Sequence, residues 1–159
     1  MSNSEQVSID NEYVFYARIW PRMKAILIDG FVLAMIFVSA ALVGANVTGS
    51  GAAAFLVWFA FWVLYDPLMV SRTGGTIGHH LQNLKVVSDR TGRNPSFLTA
   101  FIRNLTKGVL GVISLLAMAG SSRKKALHDF IAGTTVQARD VHVARLKHFI
   151  KLPRPRAAG

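Results

Sequence analysis

The 159-residue chain carries a formal charge of +10, yet only 16% of its residues are charged and 52% are hydrophobic. That balance exceeds the apolar share of an average soluble domain and points to one membrane domain, its positive surplus facing anionic lipid headgroups at a cytoplasmic surface rather than nucleic acid. With no cysteine, disulfides, thiol catalysis and thiolate metal sites are excluded.

Residues 1–12 form a polar N-terminal tail without the pattern of a cleavable signal peptide, so the first apolar run is expected to remain as an anchor. A membrane domain is expected over 13–138 and a basic, amphipathic C-terminal tail over 139–159. Tyr13, Phe15, Tyr16 and Trp20 make an aromatic cluster suited to the membrane interface. The first helix is expected to begin between Ile19 and Arg22, where Pro21 fits a first turn, and to end near Gly44. The uncharged stretch Asn46 to Gly51 then makes a tight turn. A second helix runs from about Ala52 to Val70, with Trp58, Trp62 and Tyr65 on one stripe suited to packing or lipid contact. Lys and Arg flank both outer ends of this pair and are missing from the turn between them, which places both ends, the N-terminus included, on the cytoplasmic side.

Gly74-Gly75 breaks the second helix, a short amphipathic piece follows, and Leu84 to Ser88 reads as a strand before the turn Asp89 to Asn94. Thr134 to Gln137 is a second strand, and because isolated strands are poorly stable the two are expected to pair as a small cytoplasmic two-stranded element. Between them lies Phe97 to Gly120, whose uninterrupted apolar part starts only at Gly108 and is short for a span. A re-entrant or tilted pair, broken near Gly108 or Gly111, satisfies strand pairing and the positive charge at both ends. A wholly helical 97–120, roughly 36 Å long, would cross. Beyond Arg139, Val141, Val143, Leu146, Phe149 and Ile150 suit an amphipathic surface helix or a solvated tail, stopped by Pro153.

Three carboxylates stand where chemistry is expected. Asp29 lies in the longest apolar run, where an acid costs several kcal/mol and finds a partner in the protein interior. Arg22 is on the same helix face, about 10 Å away, beyond direct bonding unless the guanidinium reaches inward. In the plainer alternative Arg22 snorkels to headgroups while Asp29 stays protonated or bonds a neighbouring helix. Asp66 precedes Pro67 and suits a cap on exposed backbone donors. Asp129 follows Lys125 by four residues, the spacing of an ordinary helical ion pair. With Arg103, Lys107 and His128 as supporting charge, Arg22, Asp29, Asp66 and Asp129 compose an ion or proton pathway in which a cation and a proton compete for one carboxylate. The histidine spacings offer no metal cage, the adjacent His79 and His80 cannot point the same way on a helix, and Gly74 to Gly78 lacks the ending of a phosphate loop. Neither an enzyme, a tightly bound metal nor a cofactor is expected.

Trp20-x-Arg22 opening a helix, Ile28-Asp29 within it, Gly74-Gly75-Thr76-Ile77-Gly78 with Leu84-Lys85-Val86-Val87, Arg103-Asn104, and Ala126-Leu127-His128-Asp129-x-x-Ala132-Gly133-Thr134 together resemble the RDD family of small bacterial membrane proteins. The resemblance covers about 13–138. It maps the arginine and two aspartates that name the family onto Arg22, Asp29 and Asp129, leaving Asp66 outside the trio. It implies an inner-membrane protein with transport of an unidentified ligand, or monovalent cation/proton exchange as an antiporter. Where relatives often carry a basic residue after the Gly-Gly-Thr-x-Gly turn, this chain has His79-His80.

The fold expected is thus mainly α and integral to the membrane: a two-helix transmembrane hairpin, a third apolar segment that re-enters or spans, and two strands. The function expected is a multi-pass transporter or ion-exchange component, homo-oligomeric or part of a larger membrane complex. An accessory or assembly subunit and a lipid-headgroup binder are the alternatives.

Overall fold

The computed structural model describes residues 13–47, 51–111, 113–116, 124–140 and 149–153. Strand β1 (Tyr13–Ala17) leads into α1 (Ile19–Val47) and α2 (Gly51–Thr73). Short α3 (Ile77–Leu81) and β2 (Leu84–Ser88) follow, then α4 (Phe97–Leu110), α5 (Ile113–Leu116), α6 (Leu127–Ile131), β3 (Thr134–Ala138) and β4 (Phe149–Pro153).

Length and composition make α1 and α2 capable of crossing a membrane. Only 6% of the most apolar stretch of α1 and 22% of that of α2 is buried in the chain, whereas a helix in a soluble core would hide most of it. Leu27, Phe31, Leu42, Leu56 and Phe59 instead face outward. The two helices meet through Phe37 and Trp58, edge to face at 5.6 Å. The turn expected between them falls partly on 48–50, outside the described residues.

The two expected strands do pair, antiparallel, with Val86 opposite Val136. They are not alone. The sheet has four strands in the order β2-β3-β1-β4, which corrects the two-stranded element. Tyr13, Phe15 and Tyr16, expected in an interfacial cluster with Trp20, lie in a strand, a conformation aromatic residues also favour, and β1 pairs along its length with Phe149–Pro153. The same pairing replaces a surface helix over Phe149 and Ile150; residues 141–148 lie outside those described. Ala17, Ala25, Val70, Leu84, Val86, Ala100 and Val136 form the apolar core joining the sheet to the helices.

Candidate functional site

The acids expected to carry chemistry occupy two adjoining centres. In the first, Asp129 on α6, fully buried, accepts hydrogen bonds from Arg22 of α1 and from Arg103 Nε of α4, the latter at 2.9 Å. Arg103 Nη1 also reaches Asp66 Oδ1 on α2 at 3.4 Å, and Lys107 Nζ donates to Asp66 Oδ2 at 3.0 Å. Cation and anion therefore alternate from Lys107 through Asp66, Arg103 and Asp129 to Arg22, binding four helices together. His128 Nε2 lies 3.5 Å from Asp129, and its Nδ1 is 2.6 Å from Ser114 Oγ on α5.

Two local expectations give way here. Lys125 does not pair with Asp129, because α6 starts only at Leu127 and the helical spacing never forms; Lys125 pairs with Asp89 instead. Asp66 does not cap backbone donors, because α2 runs on to Thr73 and its carboxylate turns sideways to α4. The gap left by Pro67, which has no N–H to offer the Val63 carbonyl four residues back, is met from outside: Asn104 Nδ2 donates to the Trp62 and Val63 carbonyls at 3.3 and 3.5 Å.

In the second centre Asp29 has a different environment. Thr76 Oγ1 donates to its Oδ2 at 2.5 Å, Gly78 N–H to its Oδ1 at 2.9 Å, and Tyr65 O–H to Oδ1 at 3.4 Å. Tyr65 is aimed by accepting the Ile77 N–H at 3.0 Å. Thr76 caps the start of α3 in extended backbone, so the break at Gly74-Gly75 presents one hydroxyl and one N–H to the carboxylate. Contact with α1 is so close that a Cβ on Gly78 would lie 2.2 Å from the Ala25 carbonyl oxygen. His79 Nδ1 stands 3.8 Å from Asp29, while His80 turns to the Thr76 carbonyl, so the adjacent histidines do diverge.

Arg22 and Asp29 thus share a face of α1 without bonding each other. Each meets a nearer partner from another element, as their separation along the helix requires. Tyr65, Thr76, Gly78, His79 and Asn104 were not among the expected site residues. Of these, Thr76 had the local signal of a cap, as a threonine opening a short helix after a glycine pair. Asp29, Asp66, Tyr65, Thr76, Asn104, Lys107 and His128 line a cavity of about 210 Å³ between the two centres. Among the described residues no group of three His, Asp or Glu side chains is placed to hold a metal.

Outside the two long helices, the charges set titration in one sense. Burial would raise the Asp129 carboxyl, but Arg22 and Arg103 outweigh it and hold the group well below the usual carboxylate range. Burial, reinforced by Arg103 and Lys107, pushes His79 well below its ordinary 6.5. Burial likewise takes His128 down to about 4, overcoming the pull of Asp129. A histidine kept neutral by the fold contributes stability in full above 6.5 and loses it as pH falls toward about 4. The depressed Asp129 has the same sign at lower pH, its contribution being present above 3.8 and lost below it. Thermal unfolding in detergent is therefore expected to shift to lower temperature as pH drops from 6.5 toward 4, and His128→Gln should flatten that dependence. A midpoint that rises on acidification would contradict this assignment.

Two helices with the length and composition of membrane spans, closing over a chamber of buried acids and bases, define a small protein of the membrane type. A model of the RDD family matches residues 16–133. The chain belongs to the RDD family. Searches of curated proteins and of solved structures gave no match.

Proposed function

We propose that this protein is an ion-exchange component of the cytoplasmic membrane in which Asp29 carries a proton and a monovalent cation by turns. One observation carries the reading. Of the three buried acids, Asp66 and Asp129 are paired with lysine or arginine, whereas among the described residues none lies within ion-pairing distance of Asp29, on which Arg103 acts only from farther away. Its donors are two hydroxyls and one N–H, and the nearby His79 is kept neutral by burial and by Arg103 and Lys107. Neutral donors orient a carboxylate without cancelling its charge, so the counter-charge is left to a mobile proton or cation. Asp66 and Asp129, already neutralised, act as fixed supports of the chamber. In this reading both outer ends lie in the cytoplasm, the side favoured by the lysine and arginine flanks, and two or more copies enclose the path.

In proteoliposomes, Asp29→Asn is expected to abolish proton-coupled cation flux while the purified protein keeps its wild-type elution profile and helix content. Unchanged flux would overturn the reading. The unbroken pairing of Asp66 and Asp129 favours one alternative, an accessory subunit whose charges are purely structural. Its signature is stoichiometric co-purification with a larger membrane protein and no flux from the isolated chain.

A further inference from the structure

The contacts of α4 fix how far it runs along α2. Before its first turn, Asn94 Nδ2 donates to the Arg72 carbonyl at 3.0 Å, beside the charged end of α2. Further along, Asn104 reaches the Trp62 and Val63 carbonyls, and a Cβ on Gly108 would lie 2.9 Å from the Trp62 ring. α4 therefore lies antiparallel to α2 and ends beside Trp62, about 16 Å from the Thr73 end at the rise of an α-helix. That is near the middle of a bilayer's hydrocarbon layer, about 30 Å thick. There the helix stops, with Gly111 at φ +52°. After it, Ser114 on α5 contacts His128, next to the Asp129 that holds Arg22 in the first turn of α1.

We infer that α4 and α5 belong to a re-entrant half-span, which enters the hydrocarbon layer from the side bearing the sheet, turns at Gly111 and heads back, with the outer face of α4 against lipid acyl chains. β2 precedes this segment and β3 follows it, and the two pair over five residues. A single crossing would separate them across the membrane. Leu98, Ile102, Leu105 and Val109 recur at helical spacing on the outer face, Val109 being 85% exposed, and α1 and α2 likewise expose large apolar side chains. Arg103 and Asn104 are turned inward and buried. Thr106 gives its hydroxyl to the Ile102 carbonyl of its own helix at 2.8 Å, which satisfies its donor without water. Non-helical backbone at membrane depth is tolerated when it lines a water-filled cavity. Gly111 lines the chamber shared by Asp29 and Asp66, and its N–H is bonded to the Lys107 carbonyl.

The inference does not rest on ion exchange, and its test involves no flux. The absence of native cysteine allows single-cysteine variants of the full chain reconstituted in vesicles. Arg90→Cys and Arg139→Cys, which follow β2 and β3 at exposed positions, should react with a membrane-impermeant maleimide from the same side. A spin label at Val109→Cys, an exposed position where a label meets no packed neighbour, should be relaxed by oxygen dissolved in lipid and not by a water-soluble nickel chelate. Labelling of the two cysteines from opposite sides would overturn the topology. Relaxation of the Val109 label by the chelate would place α4 in water, and shielding from both agents would place that face against protein; either result would overturn the lipid contact.

Discussion

Asp129→Asn is expected to destabilise the fold by about 3–5 kcal/mol, the range for removing one partner from a buried ion pair. Arg22 and Arg103 both donate to this carboxylate, which has no exposed surface. Asparagine has nearly the same shape but carries no charge, and it offers an amide N–H₂ to groups that are themselves donors. Two guanidiniums then remain buried with one anion, Asp66, between them and Lys107. The effect should appear as a large drop in the thermal midpoint in detergent. Asp89→Asn provides the contrast, since its pair with Lys125 is partly open to solvent and pairs near the surface contribute about 0–1 kcal/mol. Equal effects of the two changes would contradict the central place given to Asp129.

Gly78→Ala is expected to be nearly as damaging, although it adds one methyl group. That methyl would lie 2.2 Å from the Ala25 carbonyl oxygen and 2.9 Å from Asp29 Cγ. One is the backbone of a long helix, and the other is fixed by three hydrogen bonds. α3 must therefore withdraw from α1. Overpacking of this kind costs about 1–3 kcal/mol, and outright loss of the Gly78 N–H bond to a charged acceptor would add about 1.5–3 kcal/mol. Gly30→Ala, also on α1 but with nothing within 4 Å of its new Cβ, should be neutral or stabilising by up to about 1 kcal/mol through helix propensity. Thermal midpoints of the pair will show whether close approach is what position 78 requires.

The long helices and the β2-β3 pair were legible because their signals are local: a sustained apolar run, a glycine pair that ends it, and two short strands needing a mate. The residue types of the site were legible for a related reason, since an acid in an apolar run draws attention wherever it lies. Their partners were not. Arg22 and Asp129 are 107 positions apart, and helix spacing directs attention to Asp29 instead. Tyr65 was legible as part of an aromatic stripe, but periodicity assigns a face and says nothing of where a hydroxyl ends. The pairing of β1 with β4 joins opposite ends of the chain, and aromatic residues at the start of an apolar helix suit a membrane interface as well as a strand. Asn104 shows the same limit, because its task arises only once α4 lies beside the gap that Pro67 leaves in α2.

The claim that Asp29 is the exchanging carboxylate is tested most directly by infrared difference spectroscopy of the reconstituted protein, recorded as sodium or potassium is added at fixed pH. Cation entry should remove a protonated carboxyl band that is missing from Asp29→Asn and retained in Asp66→Asn. A cation-induced band that survives in Asp29→Asn, or wild-type protein whose carboxyl bands do not respond to either cation, would contradict the account.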